Sequence, residues 1–277
     1  MSLRIATNTQ ALAAQRFLTT NHENQNRALE HLASGSRINR AGDDAAGLAI
    51  SEKLRSHTRS LKQATRNAND GVSMIQTAEG AMNEVSNILI RLRELSIQSS
   101  SDTIGDTERS FVDKEVQHLK SEIDRISNVT EFNGRKLMNG TEQDLDIQIG
   151  LHNNAELDRF QYRTKDLTTT LDSMGISSVS TMSKEQAQSN MAMLDTAITR
   201  LNENRASLGA LQNRLYSTIN NLNIYGENLQ SANSRIRDTD MAEETSELTK
   251  QNILTQANVS VLGQANQNSS VALKLLG

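Results

Sequence analysis

The sequence predicts a mainly α-helical fold: a long antiparallel helical bundle or coiled coil, a small β-hairpin region, and a pair of N- and C-terminal helices. Three observations lead there. Leu54, Leu61, Ala68, Ile75, Met82 and Leu89 recur every seven residues, with a second row at Ile50, Ala64, Ala78, Val85 and Leu92. A strict seven-residue repeat marks a coiled-coil seam, not the drifting stripe of an ordinary amphipathic helix. Leu194, Leu201, Leu208, Leu215, Leu222 and Leu229 carry the same spacing near the other end of the chain, so the first stripe has a partner within the molecule. Finally, the chain has no proline, no tryptophan and only 3% aromatic residues, a composition suited to thin cores and uninterrupted helices. His57 and Gly71 interrupt the first repeat.

Charge and cysteine content narrow the function classes. The net charge of -4 is spread along the chain, which leaves no footprint for nucleic acid. Without cysteine there is no disulfide framework and no thiol chemistry. No apolar run approaches the ~18 residues of a membrane span. The start, Met1-Ser2-Leu3-Arg4-Ile5, lacks a basic and apolar leader, so no cleaved secretory signal is expected.

Taken in order, residues 1–33 form a helix with Leu12, Phe17, Leu18 and Leu29 on a weak stripe. Residues 34–43 form a linker broken by Gly35 and Gly42, and Asp43 or Asp44 is placed to cap the next helix. Residues 44–233 form the bundle domain. Its heptad helix runs to about Ser99, and Val112, Val116, Leu119, Ile123 and Ile126 predict a shorter helix from about Thr107 to Asn128. Asn133-Gly134 and Asn139-Gly140 then signal turns, and Leu145, Ile147, Ile149 and Leu151 alternate at period two, giving a hairpin region over 132–164. Residues 165–183 read as a connector with little regular structure. The leucine helix begins at Lys184, and residues 234–240 form a second linker, with Ser234-Arg235-Ile236 echoing Ser36-Arg37-Ile38. Residues 241–277 form the last helix, with Leu254, Val261 and Leu275 on one face.

The two terminal helices, joined to the bundle through linkers, have stripes too thin to hold them in water. They are expected to be disordered in the monomer and to order against other copies. Head-to-tail contacts that do not close produce helical fibres. A self-assembling subunit is therefore the reading of the residues themselves.

These residues also resemble a known family, the bacterial flagellins. The resemblance rests on Ser34-Gly35 with Arg37-Ile38-Asn39, Asp43 to Gly47, Arg66 to Gly71, Arg91 to Leu95, Glu122 to Ile126, Phe132-Asn133-Gly134, and Ser234-Arg235-Ile236 with Asp238 and Asp240. The middle departs from many members, which insert large outer domains where only a short connector stands here. The resemblance implies a structural subunit of the flagellar filament, exported unfolded by a type III apparatus. Its implied partners are further copies of itself, an export chaperone on the C-terminal helix, and filament cap and hook-junction proteins. The hook-filament junction protein is the alternative reading. In members sensed by a vertebrate Toll-like innate receptor, the contact patch corresponds to Arg91, Leu95 and Glu122.

Catalysis finds little footing. His22-Glu23 opens like a zinc-protease helix, but Asn26 stands where the second histidine belongs. The expectation is no enzyme, no cofactor and no metal.

Overall fold

The computed structural model describes residues 7–141 and 143–274. Among them the helices are α1 (Thr9–Ser34), α2 (Ala45–Ser99), α3 (Asp106–Val129), α4 (Leu171–Met174), α5 (Lys184–Arg237) and α6 (Met241–Lys274). The strands are β1 (Glu131–Phe132), β2 (Arg135–Lys136), β3 (Leu145–Gln148) and β4 (Arg159–Tyr162). The chain forms two compact units, one of residues up to Thr58 with those from Glu227 onward, the other Arg59–Gly226. The division falls inside α2 and α5 and not at the linkers, because both helices run without interruption from one unit into the other.

In the unit Arg59–Gly226, the seven-residue rows meet in the interior. Ile75, Met82, Leu89 and Leu92 of α2 share one apolar cluster with Val116 and Ile123 of α3 and with Leu194, Leu201, Leu208 and Leu215 of α5. Leu137, Met138, Tyr162, Ile176 and Val179 extend that cluster beneath the strands and the connector. Burial pushes the Tyr162 phenol well above its ordinary pKa, and its hydroxyl donates to the Leu137 carbonyl at 3.1 Å.

The strands form two separate antiparallel pairs, β1 with β2 and β3 with β4. Asn133 and Gly134 both have positive φ, 50° and 78°, as a two-residue hairpin turn requires. β3 and β4 pair Leu145 with Tyr162 and Ile147 with Phe160. Gly71, the break in the heptad, is explained by this hairpin: a Cβ there would lie 2.7 Å from Ile147 Cδ1 and 3.5 Å from Leu215 Cδ1. The missing side chain lets the hairpin seat on α2. Gly71→Leu is expected to lower the stability of this unit by about 1–3 kcal/mol through overpacking, as measured by urea denaturation.

The connector is more ordered than its composition suggests. It contains the short helix α4, whose Thr170 hydroxyl accepts from the Ser173 N–H and whose end is closed by Gly175 at φ 71°. It is also tied down by a polar row on α3 that the hydrophobic pattern does not reveal. Arg109, Asp113, Lys120 and Ser127 are all buried. Arg109 donates to the carbonyls of Ser99 and Ser101, each at 3.0 Å, and so closes the end of α2. One Asp113 oxygen accepts from the Thr181 N–H at 2.7 Å and the Ser180 hydroxyl at 2.9 Å. Lys120 donates to the carbonyls of Ser177 at 2.7 Å and Val179 at 2.9 Å. Burial lowers the Lys120 pKa, while the Asp113 charge pulls it the other way. Ser127 donates to the Met138 carbonyl at 3.0 Å. Irregular backbone is held here by side chains, because it cannot satisfy its own groups.

Candidate assembly surface

The other unit contains the terminal helices. Asn8 caps α1 by accepting from the Ala11 N–H at 3.0 Å, and Gly35, at φ 69°, ends the helix with its N–H on the His31 carbonyl. Asp240 opens α6 by accepting from the N–H groups of Ala242 and Glu243, and Glu243 and Glu244 in its first turn suit the helix dipole.

What α1 and α6 bury against each other is small or polar. Ala14, Ala28 and Ala265 are buried, as is Gln251, and these alanines offer little apolar surface. Leu32, Leu248 and Leu262 are half-buried, and most of the other large apolar side chains lie on the outside. Leu12, Phe17, Leu29, Ile253, Leu254, Val259 and Val261 all keep between 40% and 60% of their surface exposed. Leu18 is half-buried, and Leu275 lies outside the described residues. An open groove of about 350 Å³ along the pair is lined by Ala13, Phe17, Asn258 and Val261 among others. Several large apolar side chains left exposed along one helix pair make it a candidate interaction surface.

The linkers between these helices and their neighbours are not free tethers. Arg37 N–H donates to the Arg237 carbonyl at 2.7 Å and Thr239 N–H to the Gly35 carbonyl at 3.1 Å, with Ser36 and Asp238 forming an antiparallel bridge. Ile38 is buried, and Arg237 Nη1 reaches Glu52 Oε1 at 2.6 Å. Ser234 to Arg237, expected in the second linker, form the last turn of α5. No glycine or proline stands there to stop the helix. Of the two aspartates, Asp44 is the cap of α2, accepting from the Gly47 N–H at 2.8 Å. Asp43 folds the linker, accepting from the N–H groups of Arg40 at 2.9 Å and Asn39 at 3.1 Å.

Those two backbone N–H groups hold the Asp43 carboxyl below its ordinary pKa. A carboxylate with a depressed folded pKa contributes stability above its unfolded value, about 3.9, and loses that contribution as pH falls through the folded value. The Asn39 and Arg40 amides are therefore expected to stay protected from exchange at pH 5 and to lose protection only below about pH 4. An Asp43→Asn variant should lack this acid step when followed by NMR.

The heptad positions divide. Leu61, Ile75, Met82, Leu89, Leu194, Leu201, Leu208 and Leu215 are buried within the chain itself, whereas Leu54, Leu222 and Leu229 are only half-buried. The Arg91, Leu95 and Glu122 trio is not brought together as one exposed patch. Leu95 is buried at 1% exposure. Glu122 pairs with Arg125 on its own helix at 2.6 Å. The acid that meets Arg91 across α2 and α3 is Glu115, at 2.9 Å, and Glu94 adds a second ion pair at 3.1 Å. The Glu115 and Glu94 hydrogen bonds raise the Arg91 pKa further. Glu115 and Glu122 stand one heptad apart on α3, so sequence pattern does not distinguish them; the alignment of α3 on α2 does.

Among the described residues, no group of three or more His, Asp or Glu side chains converges as metal ligands do. No described helix is long and apolar enough to cross a membrane.

Comparison with known proteins gives a consistent result. The model of the bacterial flagellin N-terminal helical region matches residues 5–143, and that of the bacterial flagellin C-terminal helical region matches residues 191–276. The chain is 45% identical over 269 residues to a flagellin of Halalkalibacterium halodurans, covering 97% of this chain and 98% of the other. It is 42% identical over 308 residues to a flagellin of Bacillus subtilis, covering 99% of this chain and 100% of the other. The crystal structure of Bacillus cereus flagellin superposes with a TM-score of 0.50 at 32% identity, over 57% of this chain and 88% of that one.

Proposed function

This chain belongs to the bacterial flagellin family, and from that premise we infer how it works as a structural subunit, not an enzyme, of the extracellular flagellar filament used for swimming. The subunit polymerises with copies of itself. Within that role, α1 and α6 are the assembly elements. The observation that carries this is how much apolar surface they leave uncovered: their fully buried residues are alanines and a glutamine, while Leu12, Phe17, Leu29, Ile253, Leu254, Val259 and Val261 stay 40–60% exposed. Each such side chain is already about half covered, so covering the rest with a neighbouring copy contributes roughly 0.7–1.5 kcal/mol. The isolated pair has no such cover, so its order depends on neighbours. Leu54, Leu222 and Leu229, half-exposed on α2 and α5, are further positions for packing between copies.

Transient partners fit the same surfaces. Before export through the type III apparatus, an export chaperone covering the outward apolar face of α6 keeps the chain from polymerising early. Filament cap and hook-junction proteins meet the subunit at the growing tip and the base. A Toll-like receptor of innate immunity reading this chain meets the exposed Arg91–Glu115 pair, with Leu95 buried beneath and Glu122 a heptad away.

Electron microscopy of the purified chain at high salt separates the filament subunit from a hook-junction adaptor. The filament reading predicts fibres many subunits long. Oligomers that stop at a small ring or short stack under all salt and concentration conditions would overturn it.

A further inference from the structure

The interface between α1 and α6 contains little that specifies its own alignment. Buried alanines pack against neighbours almost equally well if one helix slides by a turn, because a small side chain is exchanged for another contact of similar size. Three polar contacts cross it, and the two made between side chains do not tolerate such a slide. Gln25 Nε2 donates to Asn252 Oδ1 at 2.6 Å. His31 Nδ1 lies 3.2 Å from Glu244 Oε1, with both side chains largely buried. Asn8 Nδ2 donates to the Ala265 carbonyl at 2.9 Å. The order His31, Gln25, Asn8 runs toward the start of α1 while Glu244, Asn252, Ala265 runs toward the end of α6, so all three contacts lie on one antiparallel alignment.

A one-turn slip breaks that alignment in either direction. Moved one way, His31 faces Leu248 and Gln25 faces Gln256. Moved the other way, Gln25 faces Leu248 and His31 faces Asp240. In both cases a polar side chain is set against a leucine, and a buried polar group without a partner is destabilising. The aligned state is itself not fully satisfied. His31 Nε2, Gln251 Oε1 and Thr255 Oγ1 are buried without a partner, three of the five such atoms among the described residues. A layer of this kind weakens the pair while rejecting its alternatives, as a single buried asparagine does in coiled coils.

We propose that Gln25–Asn252 and His31–Glu244 set the register of α1 on α6 and thereby the pattern of outward apolar side chains presented to the next copy. The proposal rests on the filament reading and adds the residues that specify the assembling surface. These are positioning residues, and they act through the alignment of two helices.

The chain has no cysteine, so single labels are easily placed. Thr20→Cys and Ser246→Cys, both exposed, on opposing helices and offset along the axis by about 15 Å, carry a nitroxide pair whose separation changes with any slip, and labelled chains are diluted with unlabelled ones in filaments for pulsed EPR. The parent should give one narrow distance. A variant with Gln25→Leu, Asn252→Leu, His31→Leu and Glu244→Leu should protect α1 and α6 of the monomer tenfold or more against amide exchange. It should nevertheless show a second distance population, from a slip of about 6 Å along the axis, and need at least tenfold more protein to grow fibres. Exchanging the partners, Gln25→Asn with Asn252→Gln, should restore one distance and parental growth. Parental distance and growth in the leucine variant, loss of protection in it, or failure of the exchanged pair would each overturn the proposal. A parent that shows one distance but grows no fibres would instead overturn the filament reading.

Discussion

Ile253→Asp is expected to raise the protein concentration needed for filament growth by about two orders of magnitude while leaving the fold of the isolated chain almost unchanged. Ile253 is 60% exposed on α6, so the lone chain loses little packing when it is replaced. In a filament the loss is the part of that apolar side chain still open in the single chain, roughly 1–2 kcal/mol, and the aspartate must also be desolvated against its neighbours. A tenfold change in an association constant corresponds to about 1.4 kcal/mol, which sets the scale. Sedimentation of polymer from monomer across a concentration series reads the shift, and urea denaturation of the monomer serves as the control. An unchanged critical concentration would show that this face of α6 is not covered in the filament.

Asp113→Ala is expected to destabilise the unit Arg59–Gly226 by about 2–4 kcal/mol. The buried carboxylate holds the Thr181 N–H and the Ser180 hydroxyl, and its charge favours the buried Lys120 ammonium. Removing it leaves a buried backbone donor unsatisfied and a buried cation uncompensated, and both are more costly than the loss of an ordinary hydrogen bond. Asp113→Asn keeps an acceptor for the Thr181 N–H and should fall between the parent and Asp113→Ala. Lys120→Met, which removes the cation and retains the volume, should cost less than Asp113→Ala. A denaturation series over the three variants in which Lys120→Met was the most damaging would show that the lysine contacts to Ser177 and Val179, and not the carboxylate, hold the connector.

The long elements could be read from the chain because their signals are periodic and local. Seven-residue rows of leucine and isoleucine, unbroken by proline, predicted α2 ending at Ser99, and the structure ends it there. The 3.6-residue stripe from Val112 to Ile126 placed α3 to within about a residue at each end. What escaped was whatever depends on how elements meet. Asp113 and Lys120 carry no periodic signal, since a charge on a helix is ordinarily outside, and only the connector lying across α3 makes them interior. Gly71 reads as a defect in the heptad until Ile147 is found occupying its place. Glu115 and Glu122 are equivalent in any pattern, and the register of α3 against α2 decides which one meets Arg91. The linkers showed their glycines but not that Arg37, Gly35 and Thr239 hydrogen-bond with the end of α5 and with each other.

Hydrogen exchange of α1 and α6, measured by mass spectrometry on dilute monomer and on assembled filament, tests the central claim most directly. Dependence on neighbours predicts that the amides of Thr9–Ser34 and Met241–Lys274 exchange within minutes in the monomer and are slowed at least a hundredfold, about 2.7 kcal/mol, in the filament. Core amides of α2, α3 and α5 within Arg59–Gly226 should be protected in both states. Terminal helices already as protected in a solitary chain as in the polymer would contradict it.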